Sequence, residues 1–246
     1  MKEFDVESPQ LMVCVYPAGS QGECFIALCQ ALVGLGCKPG QETARHLARN
    51  DSDAPMVDAG FQHRLFGTVT VGYGWYSNGH VTQAPWLVVR VHAHGSWSGT
   101  RLPRIERRAA EQLDPWTREV LRLCVNQCQV YYGTIGFECS LITSTELDGG
   151  WNGMPSSIFV SGRVLTGHPQ VRAAFEADYR RGEVQEWDSG RLFSSGASSD
   201  AGWVGGSDRT ANLLGRAVYT MTLKAAMAQD QSEAVYGAAR HDEGHE

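Results

Sequence analysis

Two runs of strict alternation constrain this chain more than any other feature. From Thr68 to Tyr76 the apolar residues Val69, Val71, Tyr73 and Trp75 fall on one side. From about Pro85 to His94 the residues Leu87, Val89, Val91 and Ala93 do the same. A period of two is the signature of a strand with one face buried and the other wetter. Between the runs lies Ser77-Asn78-Gly79-His80, and Asn-Gly is the strongest short-range signal for a hairpin turn. The two strands are therefore expected to pair antiparallel. This excludes an all-helical fold.

The remaining pattern mixes strands and helices without regular alternation. Residues 11–16 read as a buried strand. Residues 22–36 read as a helix whose stripe is Phe25, Leu28, Cys29, Leu32 and Leu35, with Gly36 as terminator. Residues 38–60 are polar and mixed, with a short helix expected from Glu42 to Asn50. Two helices are expected after the hairpin, the second opened by Asp114 as N-cap and Pro115 at its first position. That helix carries the stripe Trp116, Val120, Cys124, Cys128 and Tyr131. Strands at 134–141 and 156–164, a helix from Pro169 to about Arg181, and a hairpin around Asp188-Ser189-Gly190 come next. The Gly/Ser-rich segment 194–206 reads as a loop or lid. Ser207 is placed to cap a last helix with the face Leu214, Ala217, Val218, Met221 and Ala225. The expectation is an α+β fold: a single domain over 1–229 with a mostly antiparallel sheet and helices packed on one face. A polar tail follows over 230–246.

Composition narrows the function classes. The chain has 246 residues and a formal net charge of −6, with 42% hydrophobic residues. A nucleic-acid partner needs a clustered basic face. The one basic run, Arg101, Arg104, Arg107 and Arg108, is broken by Glu106 and reads as a solvated helix face. No apolar run approaches the ~20 residues of a membrane span, and the acidic N-terminus lacks a signal-peptide core. The expected location is the cytoplasm. There the seven cysteines (14, 24, 29, 37, 124, 128 and 139), an odd set without a Cys-x-x-Cys pair, are expected as thiols.

Cys24 is the leading candidate for chemistry. It follows the polar loop Gly19-Ser20-Gln21-Gly22-Glu23 and stands just inside a helix start, where unpaired N–H groups favour a thiolate. The run Gly22-Glu23-Cys24-Phe25 resembles the start of the catalytic helix in papain-like thiol hydrolases. Ovarian-tumour-type deubiquitinases carry a Gly-x-Cys-Phe run there, and NlpC/P60 peptidases an acidic-Cys pair. The resemblance implies a later histidine on a strand as base. His92 and His80 follow in the right order, His80 at the expected hairpin turn. Backbone N–H groups of the 20–24 loop would hold the oxyanion.

Other residues are candidates for binding. Gln21 lies in the same loop. Arg90 shares a strand face with His92 and His94, a His-x-His spacing that suits two ligands of one metal. Glu138, facing out from a later strand, is the best third ligand, but no metal or other cofactor is expected. Cys124 and Cys128 share the apolar stripe and read as core. Trp151 and Trp203 fall in loops, where aromatics line binding clefts. No Walker loop, Rossmann glycine pattern, Gly-x-Ser-x-Gly elbow or His-Glu-x-x-His helix occurs. Two functions fit. The first is a thiol-dependent hydrolase or acyl transferase acting on a small molecule or short peptide. The second is a non-catalytic binding protein, an immunity-type or regulatory partner covering a site on another protein.

Overall fold

The computed structural model describes residues 10–49, 58–75, 83–92, 104–137, 157–194 and 209–225. For residues 10, 73–75, 83–86, 92, 104–110 and 137 only the backbone is described. Alternation does what its period dictates. The strands β1 (Gln10–Pro17), β2 (Cys37–Pro39), β3 (Asp58–His63), β4 (Gly67–Trp75), β5 (Gln83–His92), β6 (Val130–Phe137), β7 (Ser157–Ser161), β8 (Glu183–Trp187) and β9 (Gly190–Ser194) form one nine-stranded sheet. Its order is β2-β3-β4-β5-β1-β6-β7-β9-β8, and every pairing is antiparallel. The expected hairpin is present, with Val69 opposite Val91 and Val71 opposite Val89. Its turn lies outside the described residues. The three-residue β2 is an edge strand, and β3 lies between it and β4. Ala59 and Phe61 are the buried apolar residues of β3, too few to mark a strand in the sequence.

The described helices are α1 (Gln21–Gly34), α2 (Gln41–Arg49), α3 (Arg104–Gln127), α4 (Gly162–Gly167), α5 (Pro169–Asp178) and α6 (209–225). Gly36 ends the α1 region with φ +87°, a left-handed conformation that favours glycine. α3 corrects an expectation, because one continuous helix stands where two were expected. Pro115 lies inside it. A proline there removes one backbone hydrogen bond. Buried side chains on both sides of it, Leu113, Val120 and Leu121, hold the helix through that gap. Asp114 does not cap a new helix; its carboxylate takes Arg118 Nε at 3.0 Å.

The antiparallel α+β architecture is as expected, but helices cover both faces of the sheet. Leu11, Val13 and Val15 of β1 pack in one cluster with Phe25, Leu28 and Leu32 of α1 and Val120, Leu121 and Cys124 of α3. Cys14 and Tyr16, which alternate with them, pack in a second cluster. There they meet Val164 of α4, Phe175 of α5 and Leu214 and Val218 of α6. Neighbouring positions of a strand face opposite sides. Each buried Val, Leu or Phe contributes roughly 1.5–3 kcal/mol, so a strand apolar on both sides needs a helical layer on each. Among the described residues no helix is long and apolar enough to cross a membrane.

Candidate functional site

The start of α1 decides what Cys24 can do. Ser20 is the N-cap, and its hydroxyl accepts from Glu23 N at 3.3 Å. Helical residues therefore begin at Gln21, and Cys24 stands a full turn in. Its N–H already donates to Ser20 O at 3.1 Å, so it is not one of the free donors at the terminus. The side chain joins Phe25, Leu28 and Cys29 in the first core cluster and is 3% exposed. Across from it, Cys128 Sγ donates to Cys24 O at 3.7 Å. The Cys24 thiol is held well above the ordinary range by its hydrogen bond with the Cys128 thiol, and next by burial. Cys128 is raised as well, chiefly by its contact with Cys124. Burial alone pushes Cys29 up to about 12 and Cys37 up to about 11. A reactive cysteine needs exposure and an electropositive setting. Cys24 has neither, and the expected open edge beside it is closed by α3.

Among the described residues no base is placed beside it. His80, Glu138, Trp151 and Trp203 lie outside the described residues. His92 is described in backbone only, opposite Gln10 at an even-numbered position of β5. Arg90 is half-buried and committed to Asp58 at 3.7 Å. Gln21 opens α1 and is half-buried. Among the described residues no three His, Cys, Asp or Glu side chains come together as a metal site.

A concavity opens instead at the sheet end where β1 and β7 finish. It has a volume of about 660 Å³, within the size of small-ligand clefts. Its floor is apolar: Val125 and Cys128 from the end of α3, Val130 from β6 and Phe159 from β7. Phe159 stacks on Trp187 with centroids 5.5 Å apart. Asn126, Gln127, Gln129 and Arg163 form an exposed polar rim, and Ser161 and Ser189 stand in the wall.

Three local contacts build these walls. Ala18 N donates to Gln129 O at 2.7 Å, tying the end of β1 to the α3–β6 turn. Gly162 N donates to Ser189 O at 2.8 Å, pinning the β8–β9 turn against the β7–α4 junction. Ser161 Oγ accepts from Val164 N at 3.4 Å and so caps α4. The same junction requires a glycine at 190, where a Cβ would collide with Val160 O and lie 2.7 Å from Ser161 Cα. The result is a firm frame around two groups left without partners. Ser189 Oγ is buried with no hydrogen bond among the described residues. Arg163 makes no ion pair among the described residues, which is also true of Arg45, Arg49, Arg64, Arg180, Arg181 and Arg209.

Sequence reasoning located the Asp188-Ser189-Gly190 turn and the end of the α3 stripe but not their meeting. The available signal was the group of amides Asn126, Gln127 and Gln129 flanking the end of the apolar stripe at Cys128. Nothing local to Arg163 announces it.

No known protein family matches the chain, and no curated protein matches it in sequence. Among solved structures it is similar to the Pseudomonas aeruginosa T6SS protein PA0821, at 11% identity and a TM-score of 0.41. The likeness covers 87% of this chain and 73% of that one.

Proposed function

We propose that this chain is a non-catalytic binding protein, a regulatory partner that covers a site on another protein. One observation carries the reading. The thiol best placed for chemistry is sealed between α1 and α3, while the open cleft beside it is lined by groups that bind but do not react. Amides, two hydroxyls and one guanidinium can donate and accept hydrogen bonds. Among the described lining residues none is a histidine or carboxylate that could act as a general base on Ser161 or Ser189. Cys128 reaches the floor, but its thiol is raised, which keeps it protonated. The six described cysteines are all buried and form no disulfide with one another, which fits a reducing compartment such as the cytoplasm.

The test compares wild type with Cys24→Ser. Affinity purification from the source cells is expected to recover one stoichiometric protein complex, equally from both forms. Turnover of a thioester, ester or peptide substrate by wild type that disappears in Cys24→Ser would reverse the conclusion and restore a thiol-dependent hydrolase or acyl transferase.

A further inference from the structure

The cleft at the end of the sheet also indicates what kind of group it takes. This inference rests on the binding reading above and specifies its site. Among the described residues lining the cleft, Arg163 alone carries a formal charge. It is exposed and makes no ion pair among the described residues. In a chain of net charge −6, a free guanidinium at the mouth of a concavity is a local reversal of sign. It selects an anion, and a guanidinium matches a planar carboxylate in two parallel hydrogen bonds.

The wall supplies a second reason. Ser189 Oγ is buried with no partner among the described residues, a condition that costs free energy and is rare in folded proteins. Its backbone is held by the bond from Gly162 N at 2.8 Å, so the side chain can change only by turning about χ1. A staggered turn toward the cleft would offer its hydroxyl to a ligand oxygen. The floor sets the remaining requirement. Val125, Cys128 and Val130 are apolar and each keeps a small exposed surface there, which a small aliphatic or aromatic edge can meet, while Phe159 beneath them is fully buried.

We infer that this cleft receives an acidic side chain of a protein partner, flanked by an apolar residue, with Arg163 and Ser189 on the carboxylate and Val125, Cys128 and Val130 under the apolar group. The arrangement is an anchor-in-pocket contact, the geometry in which a few residues dominate an interface. Recognition involves no bond making or breaking.

The probes are acetyl-Phe-Glu-amide and its neutral counterpart acetyl-Phe-Gln-amide, titrated into the full-length protein and followed by backbone amide chemical shifts. Shifts are expected at residues 126–130, 161–163 and 189. The Glu peptide should bind about three- to fivefold more tightly than the Gln peptide, the increment of one exposed charge pair. In Arg163→Gln that ratio should fall to about one while the Gln peptide binds as before. A free acid, 4-phenylbutyrate, is the second arm. Equal or tighter binding of that acid would identify a small carboxylate as the ligand and overturn the protein-partner assignment. Shifts elsewhere, no binding, or a ratio unchanged in Arg163→Gln would overturn the site. None of these results touches the burial of Cys24, so failure here remains separable from failure of the non-catalytic reading.

Discussion

At the scale of single residues, exposure outweighs position in the sequence. Cys24 stands in a run that resembles a nucleophilic helix start, and that run was fully legible. The direction of its side chain was not, because position 24 lies at the border of the α1 stripe and α3, which closes over it, is 80 residues away in sequence. Burial changes what a substitution does. Cys24→Ser places a hydroxyl in an apolar cluster at 3% exposure, and it should cost about 1–3 kcal/mol in a urea titration. A cost near zero would mean that the side chain meets solvent.

His63 offers a pH test of the same principle. Its Nδ1 accepts from Leu65 N at 3.3 Å and Phe66 N at 3.2 Å, and the ring stacks on Phe66 at 4.5 Å. Burial lowers its pKa below the usual histidine value, so the folded chain holds it neutral where the unfolded chain protonates it. Its contribution is fully present above about pH 6.5, the unfolded value. It declines as pH falls from there toward the folded pKa. The slope of unfolding free energy between pH 6.5 and 5 should be shallower in His63→Gln than in wild type. Identical slopes would show that His63 titrates alike in both states.

At the scale of elements, strong periodicity transferred and local punctuation misled. The β4–β5 pairing, α1, α5 and the β8–β9 hairpin were all readable, because each carries a clean period bounded by turn residues. α3 was misread as two helices because Asp114-Pro115 is a helix-start signal. What overrides it is non-local: the core clamps the helix on both sides of Pro115. The β8–β9 turn is where an element frames the cleft. Gly190→Ala would press a methyl group against Val160 O and Ser161 Cα, backbone that cannot move away. Overpacking of this kind costs about 1–3 kcal/mol. Chemical denaturation should show that loss, together with amide shifts at Ser161 and Gly162. A neutral Gly190→Ala would mean that the turn is not seated on β7.

At the scale of the whole molecule, an antiparallel sheet carries helices on both faces, α1 and α3 on one and α4, α5 and α6 on the other. The sheet was legible in outline because its alternating strands are unmistakable. The second helical layer was not, since a strand such as β1, apolar on both sides, does not say which helices cover which face. The cleft was the least legible feature of all. It is assembled from α3, β6, β7 and the β8–β9 turn, which approach only when the sheet forms.

The account turns on one statement, that the Cys24 thiol is part of the core and not a reactive group at a site. Iodoacetamide labelling of the native protein across pH 6–9, followed by peptide mapping, measures it directly. Cys24 should remain unmodified over the time in which a free cysteine peptide reacts completely, and its labelling rate should follow that of global unfolding. Labelling of native Cys24 as fast as the free peptide, with an inflection below pH 8, would contradict the account.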